Sequence, residues 1–128
     1  MQTFNNWSIN RIASGAIAPY RICKGTATDG VCAQASADTD KFVGVSGRAK
    51  QQDGSVAAAD GDRFDLEVSG IVPVEYGGTV AYGDFLTSDA DGKAVVAGAT
   101  DRVIGVAQEK GASGEIGSVF INHGKLET

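Results

Sequence analysis

Arg102-Val103-Ile104-Gly105-Val106-Ala107 joins a cation, a short apolar run, a glycine, a valine and a small residue. Lys41-Phe42-Val43-Gly44-Val45-Ser46 repeats that order of residue types earlier in the chain. A short apolar run bounded by polar loop residues reads as a buried strand. A glycine inside such a strand marks a bulge, or a place where another backbone or a bulky side chain comes close. Meeting the same device twice predicts one β unit used twice.

The flanking residues extend the echo. Tyr20 corresponds to Tyr82, and Asp29-Gly30 to Asp91-Gly92. Asp-Gly between two apolar runs is a hairpin signal, because both central positions of a type I′ turn need positive φ. On this basis the repeats run over residues 15–76 and 77–124. Arg63-Phe64-Asp65-Leu66-Glu67-Val68 alternates strictly, which is the pattern of a half-buried strand. Pro73 confines Ile71 to Tyr76 to a strand without a two-sided central ladder. No segment keeps a 3.6-residue period over three turns. The expectation is an all-β protein, a small β-barrel or sandwich in one domain over residues 15–128.

Composition agrees with this. The chain has 128 residues, with 18 Gly and only 2 Pro, and the glycines are spread between apolar runs. That describes many short strands and tight turns, not disorder. The net charge is −5 and no basic stripe is present, which argues against nucleic acid as a partner. No apolar stretch approaches a membrane span of about 20 residues. Met1 to Trp7 lacks the basic and apolar regions of a signal peptide, so a cytoplasmic site of synthesis and use is expected.

Residues 1–14 differ from the rest and are set apart as an N-terminal arm. They carry Phe4, Trp7, Ile9 and Ile12 among Asn, Ser, Thr and Gln. Two readings stand. The segment is a strand or strap that plugs its own domain, or it leaves the domain and docks on a partner through Phe4 and Trp7.

Catalytic chemistry finds little support. His123 is the one histidine and has no neighbouring ligand. No serine sits in a G-x-S-x-G elbow, and no phosphate loop or dinucleotide fingerprint occurs. Asp89-Ala90-Asp91-Gly92 supplies only the start of a calcium loop. Cys23 and Cys32 flank a likely turn; two free, half-buried thiols are the default, with a bridge as the other option. No catalytic residue, metal or cofactor is assigned.

The segment Val80-Ala81-Tyr82-Gly83-Asp84-Phe85-Leu86, then Arg102 to Ala107, then Gly111 to Val119, resembles the tailed-bacteriophage capsid cement or head decoration proteins. That is the small β-rich family once mislabelled as recombinases. Its hairpin V-x-x-G-D-x-[VL], its G-V-A and its final G-x-V-x-V strand are matched here by Gly83-Asp84, Gly105-Val106-Ala107 and Gly117-Ser118-Val119. The likeness spans about residues 15 to 124. The first copy departs from it, with Arg21 set against Gly83 and Ser46 against Ala107. The resemblance implies a non-enzymatic protein on the exterior of the virion, assembled in the host cytoplasm. It would bind the expanded capsid as a homotrimer and bridge copies of the major capsid protein. Phe4, Asn6, Trp7, Ile9 and Ile12 are then the capsid-contact candidates, and Ile71, Val72 and Val74 the subunit-contact candidates. Two other classes stay open. One is a carbohydrate- or protein-binding β module of a fibre or surface assembly, using Trp7, Tyr20, Tyr76 and Tyr82. The other is a small hydrolase or redox enzyme using Cys23 or Cys32.

Overall fold

The structure, a computed structural model, describes residues 7–47 and 57–125. Among them the chain forms ten strands and no helix. In chain order these are β1 (Trp7–Ala13), β2 (Ile22–Gly25), β3 (Val31–Gln34), β4 (Phe42–Val45), β5 (Arg63–Ser69), β6 (Ile71–Glu75), β7 (Phe85–Ser88), β8 (Ala94–Val96), β9 (Arg102–Ala107) and β10 (Ile116–Lys125). The all-β expectation holds.

β1, β3, β2, β4 and β5 form a closed barrel, and the other five strands form a sheet in the order β6-β10-β9-β7-β8. The two are the same object. Starting the barrel at β1 and going through β5 gives β1-β5-β4-β2-β3, which matches the sheet strand for strand. The barrel closes where β1 and β3 run parallel, Ala13 against Cys32. In the second unit the residues at the same places, Tyr76 and Ala94, make a parallel bridge too. The bridge Ile17–Ala58 is likewise repeated as Val80–Gly111.

Backbone conformation confirms the register. Positive φ occurs at Tyr20, Gly30 and Gly61 in the first unit and at Gly83, Gly92 and Gly114 in the second. Tyr20 therefore stands where Gly83 stands. The tyrosine pairing read from sequence was one residue out, and so was the setting of Arg21 against Gly83. The repeats also begin earlier than the sequence suggests: β1 is the counterpart of β6. Residues 7–13, assigned from sequence to an arm, are a strand that pairs with β5 from Trp7↔Ser69 to Ile12↔Arg63 and with β3 at its end. The ladder satisfies the backbone polar groups that an arm would leave to water. Residues 1–6 lie outside the described residues.

Each interior is filled differently. In the second unit Tyr76 is fully buried and its hydroxyl donates to the Glu109 carbonyl at 2.7 Å. Burial, aided by Glu109, pushes its phenol up to about 12. The ring has room only because Gly117 and Gly111 have no Cβ; one built at either glycine would collide with it. The registers Arg11↔Phe64 and Val74↔Gly117 make Phe64 the counterpart of Gly117. Ala13 likewise answers to Tyr76, and Ala58 to Gly111. One large ring per seam is thus supplied from the last strand in the first unit and from the first strand in the second. Cys23, Cys32, Phe64 and Leu66 belong to the first unit's own core.

The two units are fastened side by side. Ile22, Ala35, Phe42 and Val45 share one buried cluster with Val72, Val74, Tyr76, Leu86 and Ile104. The Ile22 amide donates to the Gly92 carbonyl at 2.8 Å, and the Glu75 amide to the Tyr20 carbonyl at 2.9 Å.

Tyr76→Ala should cost about 3–5 kcal/mol, and Gly117→Phe alone should be destabilising through overpacking. The double variant rebuilds the first unit's arrangement. Its loss should fall short of the sum by about 1–3 kcal/mol, read as a double-mutant cycle in urea.

Candidate functional site

Among the described residues no group of three or more His, Cys, Asp or Glu is placed to hold a metal. The one acidic cluster singled out from sequence is used internally. Asp89 Oδ1 accepts from the amides of Asp91 at 2.8 Å and Lys93 at 2.9 Å, which shapes the β7–β8 turn.

Cys23 and Cys32 are free and buried. In the β2–β3 register Cys23 faces Gln34 and Cys32 faces Gly25, so the thiols sit on a diagonal and not opposite one another. Burial pushes the Cys23 thiol up, and Cys32 beside it adds to the rise. Burial also raises Cys32, with Arg11 working weakly the other way. Nucleophilic cysteines need the opposite shift. Cys32 nevertheless lines an open groove of about 510 Å³ at the mouth of the first barrel, with Ile9, Arg11, Val43, Leu66 and the β2–β3 hairpin. At the equivalent places in the second unit stand Val74 for Arg11 and Tyr76 for Ala13, both fully buried.

The contact residues expected from sequence are redistributed. Phe4 and Asn6 lie outside the described residues. Trp7 pairs through its backbone with Ser69, and its side chain lies outside them. Ile9 packs against the first core, and the pleat puts Ile12 on the other face of β1. They cannot form one docking face together. Val72 and Val74 are fully buried inside the second unit, opposite Val119 and Gly117, so neither can reach another subunit. Ile71 alone of that trio points outward, half-buried. Tyr76, offered as an aromatic platform, is a core residue.

What the sequence reading missed lies beside Ile71. Ile71 pairs with Phe120, Phe120 with Val106, and Val106 with Phe85. Paired residues share a face, so the four make an apolar row across four strands, about 14 Å long at the usual strand spacing. Phe85 is 47% and Phe120 46% exposed. Ile116, on the same face of β10, is exposed too. The signal was present in Ile116-Gly117-Ser118-Val119-Phe120-Ile121. Val119 and Ile121 mark the inward set, which leaves Phe120 outward where a polar residue is usual.

At the junction of the units, Arg21 of the first and Lys93 of the second both lie 3.2 Å from the Glu75 carboxylate. Burial works upward on Glu75, but hydrogen bonds from Lys93 and Arg21 outweigh it and hold the carboxyl below its ordinary range.

No family model matches the chain, and no curated protein does. Among solved structures it is similar to the head fiber gp8.5 N base in bacteriophage phi29. The TM-score is 0.66 at 23% identity, over 96% of this chain and 99% of that one. At that identity the likeness is one of fold, over nearly the whole of both chains.

Two outcomes are expected. A thiol reagent such as Ellman's should find neither cysteine in the native protein and both after denaturation. Glu75→Gln should lower stability by about 1–3 kcal/mol near neutrality. Because the folded carboxyl titrates below its unfolded value near 4.5, that difference should be full above pH 4.5 and shrink as pH falls below it. Urea titrations at a series of pH values check the sign.

Proposed function

We propose that this chain is a non-enzymatic structural protein of a phage virion. In this reading it sits on the capsid exterior and binds the major capsid protein of the expanded shell. The observation that carries it is the likeness, over nearly the whole chain, to a domain described as the N base of a head fiber. The resemblance of Gly83-Asp84, Gly105 to Ala107 and Gly117 to Val119 to the cement proteins points the same way. The raised thiols support the non-enzymatic side of the reading.

The physical logic is mass action. A protein that binds the expanded shell and not its precursor stabilises the expanded state in proportion to its differential affinity. Many copies on a lattice multiply a modest contact energy. A net charge of −5 keeps an exterior protein from adhering to nucleic acid. The finer role is a homotrimer that bridges neighbouring capsid subunits. Phe4, Asn6, Trp7 and Ile12 remain its capsid-contact candidates; Ile9 packs against the first core. A second reading, a protein-binding β module of a fibre, is favoured by the likeness to the base of a head fiber. It differs in placing a second partner on the side away from the capsid.

Sedimentation with purified heads tests the proposal. The protein should pellet with expanded heads, fail to pellet with unexpanded ones, and raise the temperature at which expanded heads rupture. No binding to either form would overturn it. A deletion should stop at residue 6, since removal of β1 would open the barrel. Loss of head binding on that deletion, with the melting temperature kept, would assign the contact to residues 1–6; unchanged binding would remove Phe4 and Asn6 from the candidates.

A further inference from the structure

The residues at the mouth of each unit are sealed in the second and open in the first. Val72, Val74, Ala94, Ile104 and Val119 of the second unit are fully buried. They share one cluster with Ile22, Ala35, Phe42 and Val45 of the first unit, so the first unit covers the second. Their counterparts in the first unit are Ile9, Arg11, Cys32, Val43 and Leu66. These line the open groove, and Ile9, Arg11 and Val43 are only half-buried. Every residue around that groove belongs to the first unit.

The backbone at the two mouths differs in the same sense. In the first unit the Ile12 amide donates to the Gly30 carbonyl at 3.0 Å, which ties the β2–β3 tip to β1. The corresponding groups in the second unit, the Glu75 amide and the Gly92 carbonyl, have other partners. The Glu75 amide donates to the Tyr20 carbonyl at 2.9 Å, and the Gly92 carbonyl accepts from the Ile22 amide at 2.8 Å. What the second mouth holds is therefore main chain of the first unit together with aliphatic side chains.

The first mouth offers the same kinds of contact with nothing bound to them. The Ile12 amide points away from β5, so the amides of Asn10 and Ser8, two and four residues earlier, point to that side too. β3 pairs with β1 only at Ile12 and Ala13, and no described strand meets Ser8 or Asn10 there. In the second unit Pro73 takes the place of Asn10 and has no amide to offer. Arg11 adds a charge where Val74 carries none. Its Nη1 donates to the Asn10 carbonyl at 2.8 Å, and it forms no ion pair among the described residues. Asp29, the other charged residue of the groove, is exposed on its rim.

We infer that the mouth of the first barrel binds an extended segment of another protein. The segment adds to the free edge of β1 at Ser8 and Asn10. It sets an aliphatic side chain against Ile9, Val43 and Leu66, and a carboxylate against Arg11. Main-chain hydrogen bonds and apolar burial hold the segment, and Arg11 selects an acidic one. The inference goes beyond the proposed role, since it holds whichever protein supplies the segment.

A display library of random short peptides, panned on the immobilised full chain, tests it. Enriched peptides should carry Asp or Glu beside Ile, Leu or Val. A labelled synthetic copy, read by fluorescence anisotropy, should bind Arg11→Glu about tenfold more weakly than wild type. Replacing its acid by lysine should restore binding to that variant, which a loss of structure would not do. The amide resonances that move on binding should be those of Ser8, Asn10 and the groove residues. No enrichment, a consensus without an acid, or resonances that move on the second unit would overturn the inference. So would a mouth that is already filled. Self-association of the wild type that Arg11→Glu abolishes would give the site to a second copy. Peptide binding that appears only after deletion of residues 1–6 would give it to the chain's own N-terminus. Peptide binding without head binding would sustain this inference while sinking the virion role; head binding without peptide enrichment would do the reverse.

Discussion

Both units turn on a glycine in the central strand. At Gly44 a Cβ would land on the Glu67 carbonyl oxygen and 2.8 Å from Leu66 Cγ. At Gly105 it would land on the Phe120 carbonyl and 2.9 Å from Val119 Cγ1. Glu67 and Phe120 are counterparts, as are Leu66 and Val119, so the same atom of the same strand presses on the same place twice. The close approach lets β5 cross β4, and β10 cross β9, tightly enough to curl five short strands until the first meets the third. A side chain at either glycine would push the last strand away and open the seam.

Curling leaves a small interior, and each unit fills it with one ring. The first uses Phe64 over Ala13 and Ala58, the second Tyr76 over Gly117 and Gly111. Cores fill to a fixed density, so the total volume is kept while its source moves from one strand to another. This explains why the two copies share so little sequence. The first unit, with Cys23 and Cys32 buried and Arg11 and Gly25 along its groove, keeps an open mouth; the second has the Tyr76 ring in its core. The two are then fastened by hydrogen bonds from Ile22, Gln34 and Arg21 to the β7–β8 tip and by Glu75, which is shared between Arg21 and Lys93.

Most strands were legible because period-two patterns survive wherever one face is dry. Phe64, Leu66 and Val68 alternate with charges, and the glycine-centred strands announce themselves by composition. The duplication was legible too, but its phase was not. β1 looked like an arm because Asn and Ser on its outer face dilute the apolar signal, and its counterpart β6 has Val72 and Val74 where β1 has Ile9 and Arg11. The pairing of Tyr20 with Tyr82 went astray by one residue because side-chain identity was followed. What the backbone repeats there is positive φ, borne by Tyr20 in one copy and Gly83 in the other. Val72 and Val74 were offered as subunit contacts, as apolar residues left over on a barrel face of the trimer that the resemblance implies. Instead Pro73 sits outward, opposite Ser118, and the valines on either side point into the core.

From its sequence alone the chain is all-β and duplicated, because turn chemistry and alternation are local properties. Which apolar residues are inside is a property of pairing. Phe85, Val106, Phe120 and Ile71 come from four strands scattered over fifty residues of chain, and nothing local marks them as neighbours. Only the tertiary structure lines them up in one row. Only the comparison of that row with Ile22 and Val45, covered in the first unit by the second, distinguishes a face that has its partner from one that still presents itself to solvent.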